Sequence, residues 1–182
     1  MTSDSFNALM NANRSFVEQF KLGDLAIRPN MSTMILTCLD ARVDPAHIFG
    51  LELGDAFVMR NAGGRVTSGV MGDIGILGVL GGSMSGPPRQ PELVILRHTD
   101  CGMARLTNLE MQQQVAERLG ISAPEVAAMA IIDPATSVHE DIALLCQTPG
   151  IPDRLIVSGF VYDVSNGTIE QIVAPAPLRA GV

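Results

Sequence analysis

Four short, continuously apolar runs separated by stretches of helical period constrain this chain more than any other feature. They are residues 32–38 (STMILTC), 56–59 (AFVM), 92–97 (ELVILR) and 154–161 (RLIVSGFV), each of strand length. Between them, 44–49, 69–80, 103–119 and 138–146 carry helical spacing, with Ser137 a candidate cap for the last. Strands that are apolar at successive positions, rather than alternating, belong in a parallel sheet covered on both faces and built from right-handed βαβ units. Asn166-Gly167, between Val164 and Ile169, is a hairpin turn signal and predicts an antiparallel edge strand. Phe6, Leu9, Met10, Phe16, Val17 and Phe20 fall near helical spacing and predict a helical arm that packs on something. The expected fold is therefore α/β: a central, mostly parallel β-sheet flanked by helices, with an N-terminal helical arm and an antiparallel edge strand near the C-terminus.

With 182 residues, 47% of them hydrophobic, the chain supports one sizeable core and is short for two. The Pro/Gly-rich run 81–91 lies between apolar segments and reads as a loop, so 1–182 is expected to form one domain with 1–30 as its arm. Gly72, Gly75, Gly78 and Gly81 recur every three residues, which predicts a smooth helix face packed tightly on the sheet. A net charge of -7 argues against a nucleic-acid partner, whose phosphates are bound by clustered Lys and Arg. No run approaches the roughly 18 apolar residues of a membrane span, and residues 1–13 lack the basic start and apolar run of a secretory signal. A cytoplasmic protein without a membrane partner is expected. With 4% aromatic residues and no Trp, base-stacking platforms are poorly supported and the ligand is expected to be a small molecule.

Three cysteines in a chain of this kind point to metal binding, nucleophilic chemistry or burial rather than a disulfide framework. Cys38 ends the first strand, His98 ends the third, and Cys101 follows in the next turn. Parallel strands put their C-terminal ends along one edge, and the crevice outside that edge is where open α/β sheets bind ligands. Two thiolates and an imidazole form a set that suits tetrahedral Zn²⁺, one ion per chain, and three protein ligands leave a fourth position for water or substrate. Each residue alone reads as a buried side chain; the conjunction favours a metal. Cys146, among Ile142, Leu144 and Leu145, reads as simple burial, and His47 and His139 as surface or capping residues.

Cys38-Leu39-Asp40-Ala41-Arg42 followed by His98-Thr99-Asp100-Cys101-Gly102 resembles the β-class carbonic anhydrase family, and so does the segment Arg60-Asn61-Ala62-Gly63-Gly64. The resemblance implies zinc-dependent hydration of CO₂ to bicarbonate. Cys38, His98 and Cys101 would be the zinc ligands, Asp40 and Arg42 a catalytic dyad beside the open coordination position. Gly63 and Gly64 would lie on the substrate's side of the metal. Zn²⁺ lowers the pKa of bound water to about 7, which supplies hydroxide at neutral pH. The resemblance also implies a homodimer or higher homo-oligomer. Carbonyl sulfide and carbon disulfide hydrolases are similar to this family and share the ligand set and dyad, so they are the main alternative. A non-catalytic zinc module is disfavoured because no fourth Cys or His ligand is apparent.

Overall fold

The computed structural model describes residues 3–83 and 89–179. Five strands, β1 (Thr33–Cys38), β2 (Ala56–Asn61), β3 (Glu92–His98), β4 (Ile156–Tyr162) and β5 (Ile169–Pro177), form one sheet in the order β2-β1-β3-β4-β5. The first four are parallel and β5 pairs antiparallel with β4, as the alternating pattern and the Asn166-Gly167 turn predict. β1 is buried at every position because it lies between two neighbours and beneath both faces. The β1 and β3 registers run together from Thr33 opposite Glu92 to Thr37 opposite Leu96, so Cys38 and His98 leave the sheet at the same edge.

Among the described residues six α-helices accompany the sheet: α1 (Asp4–Gln19), α2 (Pro45–Phe49), α3 (Ser68–Ser83), α4 (Leu109–Leu119), α5 (Ala123–Ala127) and α6 (Pro134–Gln147). One face of the sheet carries the main core, in which Leu36, Leu93 and Ile95 meet Val70 and Ile74 of α3 and Val138 and Leu145 of α6. Gly159 of β4 lets α6 approach closely: a Cβ there would stand 2.2 Å from Val138 Cγ1. The other face holds a smaller cluster of Ile35, Val43 and Leu96 against α2. Burial of the two faces is therefore unequal, and α1, as placed, buries none of its residues.

Several local expectations are corrected. The glycines of α3 do not pack on the sheet; a Cβ at Gly72, Gly75, Gly78 or Gly81 would meet nothing within 4 Å. Val70 and Ile74, four residues apart, set the buried side instead. The 103–119 period is broken at Asn108, between a 3₁₀ turn (Gly102–Thr107) and α4, because the Asn108 side chain accepts the Met111 N–H and starts a new helix. α6 begins at Pro134 under an Asp133 cap, so Ser137 lies inside the helix rather than at its start. Of the run read as a loop at 81–91, residues 81–83 complete α3 and residues 84–88 lie outside the described residues.

Candidate functional site

Sequence-distant residues meet at the C-terminal edge of the sheet. Cys38 at the end of β1, His98 at the end of β3 and Cys101 in the following turn are all buried, and their ligand atoms lie within 4.8 Å of one another. His98 Nδ1 is 2.8 Å from the Thr99 carbonyl, which fixes that nitrogen as the donor and leaves the Nε2 lone pair directed elsewhere. Nε2 is buried and is the side-chain polar atom that, among the described residues, lacks a hydrogen-bond partner. A buried polar atom without a partner costs free energy unless something satisfies it. One imidazole nitrogen beside two sulfurs is a donor set that suits Zn²⁺. Sharing a proton with Cys101 pulls the Cys38 thiol well below its usual value, against the opposing effect of burial; N–H donors of Asp40 and Gly63 add to the lowering. The same sharing raises Cys101, so the pair gives up its first proton readily and its second reluctantly.

Asp40 and Arg42 stand beside the sulfurs. The guanidinium takes Asp40 through both oxygens, Nε to Oδ1 at 3.0 Å and NH2 to Oδ2 at 2.7 Å, and the Arg42 backbone N–H reaches Oδ1 at 2.9 Å. These bonds hold the Asp40 carboxyl well below the usual carboxylate range. Arg42 also donates to the Asp100 carboxylate at 2.8 Å and to the Asp100 carbonyl at 3.0 Å. Asp100 adopts a left-handed backbone, φ 53°, which an Asp tolerates better than most residues. Arg42 thus joins the two turns at this edge, one from β1 and one from β3. Arg60 adds to this from β2, donating to the carbonyls of Cys38 at 2.9 Å and Asp40 at 2.7 Å.

The segment after β2 folds under the site. Asn61 brackets the turn, its side chain donating to the Arg65 carbonyl and accepting the Arg65 N–H, both at 2.8 Å. Gly63 and Gly64 have φ of 78° and 63°, and a Cβ on Gly64 would lie 2.6 Å from the Thr37 carbonyl carbon. Only a glycine permits that backbone-on-backbone contact.

Sequence reasoning missed the support beneath this turn. Arg97, 1% exposed and adjacent to His98, donates to the Gly64 carbonyl, to Ser137 Oγ at 2.9 Å and to the Asp141 carboxylate. Asp141, also 1% exposed, accepts in addition from Arg65 Nε at 2.9 Å and from the Val66 N–H at 2.8 Å. Burial lowers the Arg97 pKa, and the Asp141 charge opposes that effect. The signal was present: Arg97 interrupts a buried strand, and Asp141 falls between Val138 and Leu145 on the inward stripe of α6. Ile131 and Met103 pack against the two cysteines and give the site an apolar wall that motif reading did not reveal. Cys146 is off the site, its Sγ donating to the Leu178 carbonyl at 3.2 Å; His47 is exposed beside Asp44, and His139 is exposed on α6.

The sequence profile described as carbonic anhydrase matches residues 33–169, a span that contains every residue of this edge. Beta-carbonic anhydrase 1 of Mycobacterium tuberculosis is 29% identical over 160 residues, covering 88% of this chain and 93% of that protein. The carbon disulfide hydrolase of Saccharolobus solfataricus is 28% identical over 179 residues, covering 85% of this chain and 84% of that one. Among solved structures, a carbonic anhydrase from Streptococcus mutans matches with a TM-score of 0.79 at 36% identity, over 94% of this chain and 99% of its own.

Proposed function

The chain belongs to the β-class carbonic anhydrase family, and from that footing we propose that it catalyses the zinc-dependent hydration of carbon dioxide to bicarbonate. The observation that carries this reading is the convergence of Cys38, His98 and Cys101 within 4.8 Å, with His98 Nε2 otherwise unsatisfied. Zinc held by these three residues supplies hydroxide from water at neutral pH. The chain's own groups do the rest. The N–H groups of Asp40 and Gly63 draw charge from the Cys38 sulfur and offset part of what two thiolates donate to a metal. Asp40, kept ionised by Arg42, offers only acceptors, so it orients the nucleophile's hydrogen and leaves the oxygen lone pair aimed at substrate. Ile131 and Met103 present an apolar surface that suits an uncharged substrate and excludes competing water. Gly63 and Gly64, lacking side chains, let the main chain close in beside Cys38 and wall the substrate's side of the site.

A second reading, hydrolysis of carbonyl sulfide or carbon disulfide, uses the same residues and is favoured by the relatedness to a carbon disulfide hydrolase and by the apolar wall. We place the chain in the cytoplasm as a single domain whose N-terminal arm packs on a second copy; among the described residues no helix is long and apolar enough to cross a membrane. Paired initial rates with carbon dioxide and carbonyl sulfide on one zinc-loaded preparation test the assignment. Carbon dioxide hydration is expected to dominate. Faster hydrolysis of carbonyl sulfide would transfer the protein to the second reading, and no turnover of either would reduce the site to a bound metal.

A further inference from the structure

A cavity of about 290 Å³ opens at the opposite edge of the sheet, where the parallel strands begin. It lies between the C-terminal half of α3 and the starts of β1, β3 and β4. Met34, Phe57, Ile74, Leu77 and Leu155 line it with apolar atoms, and Gly78, Gly81 and Gly82 of α3 stand on its wall. Each of those glycines destabilises a helix relative to alanine. Open space follows from their use, because a Cβ at any of the three would meet nothing within 4 Å.

The polar part of the lining has one sign. Arg28, Arg89 and Arg154 border the cavity and, among the described residues, no Asp or Glu does, in a chain whose net charge is -7 with only 12 basic residues. Arg28 donates to the Gly81 carbonyl at 2.8 Å and braces the end of α3 against the segment before β1. Arg89 donates one NH1 hydrogen to the Asn30 carbonyl, which leaves the other edge of its fork for a ligand. The Arg154 side chain has no hydrogen-bond or ion-pair partner among the described residues. Guanidinium groups at the rim of an apolar cavity select a planar anion with an apolar body. The volume sits at the small end of ligand cavities, which limits that body to a short or medium chain or a single ring.

We propose that this cavity is a binding site for a small amphipathic carboxylate, its headgroup taken by Arg89 and Arg154 and its apolar body laid against Ile74, Leu77 and Leu155. The site lies at the far edge of the sheet from Cys38, His98 and Cys101, and the proposal does not depend on which gas the protein turns over. Octanoate is a suitable probe, with acetate as the anion lacking a body and octanol as the body lacking a charge. Calorimetric titration of the zinc-loaded protein is expected to give about one octanoate per chain, with acetate and octanol each at least roughly tenfold weaker, since each forfeits one of the two contributions. Gly78→Leu fills the cavity from a helical position where leucine is the better helix former, and it is expected to abolish octanoate binding while zinc content is kept. Arg154→Gln, at an exposed position that does not endanger the fold, is expected to weaken octanoate roughly tenfold and leave octanol unchanged. Carboxylate binding at the metal would be shared by acetate and indifferent to both substitutions. That outcome, or no octanoate binding by the wild-type protein at millimolar concentration, would overturn the proposal.

Discussion

Asp40 spends both carboxylate oxygens on Arg42, and a single atom exchanged there separates a catalytic zinc from a merely bound one. Asp40→Asn places an NH₂ donor where only acceptors stood; zinc content and fold are expected to persist while turnover falls by roughly 10² to 10⁴, the usual contribution of a positioned acid-base group. Equal rates in a zinc-loaded variant would make the dyad an ordinary ion pair. The electrostatics also set a pH window. Arg42 lowers the Asp40 pKa, so the pair's stabilisation is complete above the unfolded value of about 4 and is lost as pH falls through the lower folded value. The difference in Tm between the wild type and Arg42→Ala is accordingly expected to stay level from neutral pH to about pH 4 and to narrow below it. A larger stability effect is expected at Asp141. Removing its carboxylate strands the buried Arg97, which costs about 3–5 kcal/mol, and Asp141→Ala should lower Tm by roughly 10 °C in a thermal melt. The convergence of Cys38, His98 and Cys101 and the pairing of Asp40 with Arg42 were legible because these residues close strands or follow them within a few positions, where motif spacing records geometry. The Arg97–Asp141 pair was not, since 44 positions separate its members and only the docking of α6 on β3 and β4 brings them together.

At the scale of elements, strands were read to within two or three residues because buried runs of Val, Ile and Leu have few other uses. Helix boundaries fared worse where period continued across a break. Asn108 interrupts a stretch whose apolar spacing is helical on both sides, and only its capping bond reveals two elements. The α3 glycines show the opposite failure: their three-residue spacing is real, but spacing alone does not say which side of a helix meets the sheet. The first part of the arm was read correctly as a helix, and among the described residues α1 buries none of its side chains. Phe6 is 51% exposed, Leu9 71% and Val17 61%, an apolar stripe of the kind that marks an interaction surface. Residues of α1 are therefore expected to bury against a second copy: the full chain should sediment as a dimer, and deletion of residues 1–20 should shift it toward monomer. A full chain that is monomeric at micromolar concentration would dispose of this.

For the whole molecule, the parallel sheet collects chemistry at one edge and leaves the helices to hold that edge still. Purified protein is expected to carry about one zinc per chain, and Cys38→Ser or His98→Ala to lose it, as read by metal analysis. Because a ligand that binds only the folded state stabilises it, chelation should lower Tm, and full zinc in each of Cys38→Ser, His98→Ala and Cys101→Ser would disprove the site. The hold on the edge runs through one place where two stretches of main chain touch: Gly64 lies on Thr37, and Arg97 grips its carbonyl from below. That contact leaves a signature in mutational tolerance. In a library covering every codon, position 64 would accept nothing, since even alanine drives a carbon into the Thr37 backbone, while positions 72 and 75, equally glycine and only eight and eleven residues on, would fill freely. Two kinds of glycine that look identical on the page would thus be told apart by what survives.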